Sequence, residues 1–189
     1  MIGGLILAAG EGRRFGGAKQ VAEYGGRPLM AHAMAALMAV PLVERRVVVL
    51  GAHADEIRAR IDFSDFEEVV CEDWAEGQAA SLRAGVRALR DCEAIVVLLA
   101  DMPGVTPQVV AQVADGVRSG AVALRAVYDG KPGHPVLLSQ SLYDDILKLE
   151  GDVGARDLLA EVHATQVEVG ELARPDDVDT PEELESMSA

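Results

Sequence analysis

Four glycines and three cations crowd one short stretch near the start of the chain. Gly10, Gly12, Gly16 and Gly17 are interleaved with Arg13, Arg14 and Lys19, directly after the apolar run ending at Leu7-Ala8-Ala9. Glycine lets a backbone bend tightly and approach a ligand closely, and successive amide N–H groups in such a loop form an anion-binding concavity. With cations added, the natural guest is a di- or triphosphate. Two familiar phosphate loops do not fit. The dinucleotide fingerprint G-x-G-x-x-G needs two residues before its last glycine, and here three separate Gly12 from Gly16. The Walker loop needs Gly-Lys-Ser/Thr, but Ala18 separates Gly17 from Lys19, and Gln20 follows. A third kind of nucleotide loop is expected, with a solvated surface cluster as the plain alternative.

Asp101 is the second chemical residue. It ends the apolar run Ala94-Ile-Val-Val-Leu-Leu-Ala100 and precedes Met102-Pro103, so it marks where a buried strand reaches the surface. Its carboxylate suits Mg²⁺, which takes one or two carboxylates together with substrate phosphates; the plain alternative is that it satisfies loop amides. A second hard oxygen ligand would come from the acidic run Asp176-Asp-Val-Asp179, which could equally be a solvated linker.

The elements that must position these groups alternate strand and helix. Residues 2–8 form a continuous apolar run closed by a turn, which reads as a buried strand. A helix over 28–39 opens at Pro28, a strand covers 46–50, a short helical pattern passes through Ile57 and Ile61, and a weaker strand covers 68–71. Leu82, Val86 and Leu89 share one face of a helix over 79–90. After the strand at 94–100, Thr106-Pro107 caps a helix over 107–118. Strands at 121–128 and 135–138 flank a turn at Asp129-Gly130, followed by helices near 141–149 and 154–162 and a strand near 166–169. Thr180-Pro-Glu-Glu183 is a capping box opening a terminal helix. Such alternation predicts an α/β fold with a mostly parallel sheet covered on both faces. Ligands of such sheets sit at the carboxyl ends of strands near a reversal of strand order, where both the glycine loop and Asp101 fall.

Composition bounds the possibilities. At 189 residues, half of them hydrophobic and a quarter charged, the chain is most economically one soluble domain spanning residues 1–189. A net charge of −14 argues against non-specific binding to nucleic acid or an anionic membrane. Against that background residues 1–31 are locally positive, through Arg13, Arg14, Lys19 and Arg27. Cys71 and Cys92 stand alone, so neither a zinc site nor a disulfide framework is indicated. The longest apolar-rich stretch, Ala31 to Val43, is too short to span a bilayer. With no basic flank or cleavage site at Ile2, a reduced cytoplasmic protein is the expectation.

Taken together, the motifs resemble a known family. Leu7-Ala-Ala-Gly-Glu-Gly-Arg-Arg-Phe-Gly-Gly-Ala-Lys19 is similar to the signature L-A-A-G-x-G-x-R-x-G-x-x-K of the MobA-like nucleotidyltransferases, which include the molybdenum cofactor guanylyl- and cytidylyltransferases. The resemblance continues through Trp74-Ala-Glu-Gly-Gln-Ala-Ala-Ser-Leu-Arg-Ala-Gly85, Leu99-Ala-Asp-Met-Pro103, Gly133-His-Pro-Val136, Gly151-Asp-Val-Gly-Ala-Arg156 and Asp177-Val-Asp-Thr-Pro-Glu-Glu-Leu184. The opening signature and Asp-x-Pro are shared by many sugar and cofactor nucleotidyltransferases. The Gly-His-Pro-Val and Gly-Asp-x-Gly-Ala-Arg segments look most like the cytidylyltransferase branch acting on molybdopterin. The guanylyl branch usually has Leu-Ala-Gly-Gly, and Ala9 departs from it.

The resemblance implies a Rossmann-like three-layer α/β/α nucleotidyltransferase fold and transfer of CMP from CTP to the phosphate of molybdopterin or molybdenum cofactor, releasing pyrophosphate. By motif match, Leu7, Ala8, Ala9, Gly10 and Gly12 would hold the nucleotide, and Arg13 and Lys19 would neutralise the leaving phosphates. Asp101 and Asp179 would bind Mg²⁺, Asp179 being preferred over Asp177 because it directly precedes Thr-Pro-Glu. Arg14 is set aside as a surface residue. Ser81 would lie beside the base or cap its helix. His134 would contact the acceptor. Arg156 would do so too, or would pair with Asp152. Trp74 would stack on a ring or simply pack, and His32, His53 and His163 are taken as structural. Implied partners are the nucleotide, the molybdenum cofactor and a molybdenum hydroxylase apoenzyme. Two other readings stay open: the same fold using GTP or another phosphorylated acceptor (a sugar or alcohol phosphate), and a non-catalytic escort for finished cofactor.

Overall fold

A computed structural model describes residues 1–153 and 155–188; Gly154, where one expected helix begins, and Ala189 lie outside the described residues. Its strands are β1 (Ile2–Ala8), β2 (Glu23–Tyr24), β3 (Arg27–Pro28), β4 (Val43–Leu50), β5 (Glu67–Val70), β6 (Ala94–Leu99), β7 (Ala123–Tyr128), β8 (Lys131–Ser139) and β9 (Thr165–Glu168). The helices are α1 (Leu29–Met38), α2 (Ala54–Arg58), α3 (Gln78–Ala88), α4 (Pro107–Ala114), α5 (Tyr143–Ile146), α6 (Arg156–Glu161) and α7 (Pro181–Ser188). Seven strands form one sheet in the order β5-β4-β1-β6-β8-β7-β9, and β2 and β3 form a separate small hairpin.

The sheet is mostly parallel, as the alternation predicts, with β8 the exception. It runs antiparallel to both β6 and β7. The cause is local: Asp129 and Gly130 both take positive φ, at 50° and 78°, the geometry of a tight hairpin whose twist matches its strands. Glu168, at the end of β9, fixes this turn by accepting hydrogen bonds from the amides of Asp129 and Gly130 at 2.9 and 3.2 Å.

Two cores sandwich the sheet. On one face α1, α2 and α4 bury Met30, Leu37, Ile57, Val109 and Val113 against Ile6, Val48 and Val96. On the other, α3, α5 and α6 bury Leu82, Val86, Tyr143, Ile146 and Leu159 against Leu5, Val47, Val97 and Val136. Strands buried on both sides need apolar residues throughout, which is why β1 and β6 read as uninterrupted runs. Gly85 lets α3 settle directly on the sheet, since a Cβ there would stand 2.5 Å or less from the Leu5 side chain.

The chain reverses direction of growth at β1. It builds outward through β4 and β5, then returns to place β6 on β1's other side. The crevice beyond β1 and β6 is thus the expected ligand position for an open α/β sheet. No helix among the described residues is long and apolar enough to cross a membrane. Cys71 and Cys92 are both free and buried.

Candidate active site

A cleft of about 430 Å³ opens at that crevice, lined by Leu7 to Arg14, Lys19, Gln20, Trp74, Gln78, Ser81, Asp101, Asp152 and Asp179, among others. The loop that leaves β1 is held in shape by its own backbone. The Gly16 amide donates to the Gly12 carbonyl at 2.8 Å, and the Lys19 amide to the Gly17 carbonyl at 2.9 Å. Gly12 has a φ of +64°, and a Cβ there would collide with the Gly17 carbonyl oxygen. By contrast, nothing lies within 4 Å of where Cβ atoms on Gly10 and Gly17 would point. Gly12 is therefore a folding requirement, whereas Gly10 has open space beside it.

Side chains from elsewhere pin the loop. Gln20 is buried and donates from Nε2 to the carbonyls of Ala8 and Gly10, at 2.9 and 3.3 Å. His53 holds the Glu11 carbonyl at 2.8 Å, and the Ala52 amide holds that of Ala9 at 3.2 Å. Sequence reasoning missed Gln20, because a glutamine after a lysine carries no signal until the loop folds back over it. His53 is structural, and what it holds is the glycine loop. His32 is likewise structural, bonded to the Tyr24 carbonyl at 2.9 Å.

Lys19 reaches the cleft floor between two carboxylates. Its Nζ lies 2.6 Å from Asp101 Oδ2 and 2.9 Å from Asp179 Oδ1. Burial opposes its charge, but the two aspartates outweigh that and hold its pKa above the ordinary lysine value. Burial also pushes Asp179 up, yet Lys19 and Arg14 together hold it below the usual carboxylate range. Asp177 lies near the same cluster and shifts the opposite way. Its burial, reinforced by the charges of Asp101 and Asp179, raises its pKa. Asp179 is accordingly the lysine-facing member of the pair.

Asp179 is delivered there by two contacts. The Val178 amide donates to the Asp101 carbonyl at 3.0 Å, docking the tail against the end of β6. The capping box then orients the next residues: Glu183 accepts from the amides of Asp179 and Thr180 at 2.7 and 2.9 Å, and its own amide donates to Thr180 Oγ1 at 3.2 Å.

Asp101 Oδ1 is buried and has no hydrogen-bond partner. A buried carboxylate oxygen without a partner is costly, and a divalent cation shared with phosphates would satisfy it. No set of three or more His, Cys, Asp or Glu side chains able to hold a metal occurs among the described residues. Asp101 and Asp179 thus fit a metal that takes its remaining ligands from a substrate.

The other expected residues divide. Arg13 lines the cleft but turns its guanidinium to Glu11, at 2.6 Å. Arg14, set aside as a surface residue, instead pairs with Asp179 at 2.6 Å, so this neighbour belongs to the cleft as well. Ser81 is buried within α3 and does not cap it, since Gly77 stands at the N-cap. Trp74 lines the cleft and packs on the apolar core beside it. His134 and Arg156 line not the cleft that holds Asp101 and Asp179 but an adjoining pocket of about 70 Å³ that shares Leu7 and Gln78 with it. Arg156 is exposed and pairs with its neighbour Asp157 at 3.5 Å, so the anticipated pairing with Asp152 does not form.

Known proteins place this geometry. Residues 4–167 match the MobA-like NTP transferase domain family. Rv0371c from Mycobacterium tuberculosis superposes with a TM-score of 0.89 at 27% identity, covering 99% of this chain and 96% of that one. A manganese complex of the same protein superposes at 0.82, with 25% identity over 99% and 97%. Among curated sequences, nicotine blue oxidoreductase of Paenarthrobacter nicotinovorans is 32% identical over 96% of this chain and 93% of its own. A probable molybdenum cofactor guanylyltransferase of Pyrococcus horikoshii is 27% identical over 54% of this chain and 50% of its own. A glycine loop at the sheet's switch point, facing a lysine held by two aspartates, is thus found in a chain that belongs to the MobA-like NTP transferase family and is, by family and fold, a nucleotidyltransferase.

Proposed function

We propose that this protein transfers CMP from CTP to the phosphate of molybdopterin or molybdenum cofactor, with Mg²⁺ as its metal. The observation that carries the transfer chemistry is Lys19 held between Asp101 and Asp179 beside the glycine loop, with one Asp101 oxygen left unpaired. In this reading the amides from Ala8 to Gly12 hold the nucleotide phosphates, and Arg13, Arg14 and Lys19 neutralise the charge that leaves as pyrophosphate. Asp101 and Asp179 hold the metal, whose contribution is to neutralise phosphate charge. An oxygen of the acceptor phosphate bonds to the α-phosphorus as the bond to the bridging oxygen breaks. That oxygen is already anionic near neutrality, so no protein base is required. Catalysis reduces to positioning and charge stabilisation.

The preference for CTP is supported by Ala9 and by the Gly133-His-Pro-Val136 and Gly151-Asp-Val-Gly-Ala-Arg156 segments. The molybdenum acceptor is supported by the likeness to the Pyrococcus guanylyltransferase. Free buried thiols suit a reduced, cytoplasmic setting. The test is incubation with molybdenum cofactor, Mg²⁺ and each NTP in turn, following pyrophosphate. CTP should give release. Release with GTP alone would overturn the nucleotide assignment, and none with any NTP would overturn the acceptor.

One observation favours a second reading, a redox activity: the 32% identity to nicotine blue oxidoreductase over nearly both chains. A change in the absorbance of nicotine blue on incubation with the protein and candidate electron donors, absent without the protein, distinguishes it. The glycine spacing, which is not that of a dinucleotide fingerprint, weighs against it.

A further inference from the structure

The small pocket beside the nucleotide cleft has an unusual charge composition for so acidic a chain. Arg125, His134 and Arg156 line it, no acidic side chain does, and Leu7 and Gln78 form a wall common to both cavities. Arg125 projects from β7 on the same face as α3 and α6, opposite Val136 of β8. Its Nε is buried without a hydrogen-bond partner, and the guanidinium makes no ion pair with any described residue. Arginine remains charged in proteins, so this fold half-buries a cation, with its Nε fully shielded, and no described residue supplies a counter-ion. A cation placed in this way calls for an anion in the open part of the pocket.

The neighbouring histidine fits the same guest. Burial and the charge of Arg125 push the His134 pKa down to about 4, so its ring is neutral near pH 7 and has one N–H to donate. Tyr128 fixes the backbone here, its buried hydroxyl donating to the His134 carbonyl. Arg156, the more obvious basic residue from sequence, is largely exposed and has Asp157 as a partner. It is poorly suited to be the anchor.

We infer that Arg125, with His134 as second donor, is the binding site for the anionic group of the acceptor, a phosphate monoester held against the wall shared with the nucleotide cleft. Guanidinium and phosphate match in charge and in paired hydrogen-bond geometry. The inference deepens the nucleotidyl-transfer reading and rests on it for the word acceptor; the anion site itself stands on Arg125 and the pocket.

The experiment separates the two. Inorganic phosphate is titrated into the protein with the cleft first saturated by Mg²⁺ and whichever NTP stabilises it, following the thermal midpoint. Wild type and Arg156→Met should gain a further, saturable shift, and Arg125→Met should gain none. Arg125→Met without phosphate should melt no lower than wild type, since it loses a half-buried charge that has no partner among the described residues; a role in packing alone would predict the reverse. With an active acceptor, Arg125→Met should raise the acceptor KM about a hundredfold with the nucleotide KM unchanged, and Arg125→Lys should recover part of that. An unchanged acceptor KM, or phosphate stabilisation surviving in Arg125→Met, overturns the inference and leaves the transferase reading intact. Arg125-dependent phosphate binding without pyrophosphate release from any acceptor does the opposite. If neither variant folds, a wild-type crystal structure with phosphate decides by whether the anion lies on Arg125 or elsewhere.

Discussion

Lys19 joins parts of the chain that lie far apart in sequence, and its neighbours determine what each substitution should do. Its partners Asp101 and Asp179 both sit close to the nucleotide cleft and are mostly shielded from water. Asp101→Asn keeps the shape and removes the charge, while Lys19 retains Asp179. We expect turnover to fall by about 10²–10³, the scale found when one charge-stabilising group is lost, with the fold intact by circular dichroism. Lys19→Met should lose turnover comparably in the same pyrophosphate assay. His134 yields a pH prediction. Its folded pKa of about 4 lies below the ordinary histidine value, so the unfolded chain takes up the proton first as pH falls. Its contribution to stability is complete above about pH 6.5 and is lost progressively toward about pH 4, at most about 3 kcal/mol. Urea midpoints at about pH 7.5 and about pH 4.5 should converge in His134→Gln relative to wild type.

The glycine loop and the capping box each bear on the site through backbone geometry. Gly12→Ala meets both a positive φ and the Gly17 carbonyl. It should cost more than ~1 kcal/mol of stability, the left-handed penalty alone accounting for that much, and abolish nucleotide binding. Gly10→Ala has open space around the added methyl. It should melt like wild type yet weaken nucleotide affinity if the proposed function holds, because Gly10 lines the cleft and the added methyl would narrow it. Isothermal titration with Mg²⁺ and CTP measures the difference. Glu183→Ala releases the amides of Asp179 and Thr180. It should destabilise α7 by about 1 kcal/mol and raise the metal concentration needed for half-maximal rate, since Asp179 loses its orientation.

At the scale of the whole molecule, the protein carries a net charge of −14 but places Arg13, Arg14 and Lys19 around one cleft. A nucleotide bound there with a metal would add contacts that span the glycine loop after β1, Asp101 after β6 and the docked tail. Mg²⁺ with CTP at a hundred times its Kd should stabilise the fold by about 2.7 kcal/mol, and a chelator should reverse most of the shift. A shift with CTP that is indifferent to chelation would count against Asp101 and Asp179 as metal residues.

The sequence alone determined the layered α/β architecture, because strands buried on both faces need continuous apolar runs and helices need periodic ones. It also pointed to the glycine loop and Asp101, which the structure brings to one cleft, because both signals are local: glycine spacing within one turn, and a carboxylate at the end of a buried strand. Only the tertiary structure decided how these groups are partnered. The ion pair between Lys19 and Asp179 joins residues 160 apart, and no local pattern announces it. For the same reason Arg14 read as surface, and Gln20 and Arg125 read as nothing. Burial makes an arginine without a counter-ion significant, and burial belongs to the packed sheet rather than to any stretch of chain.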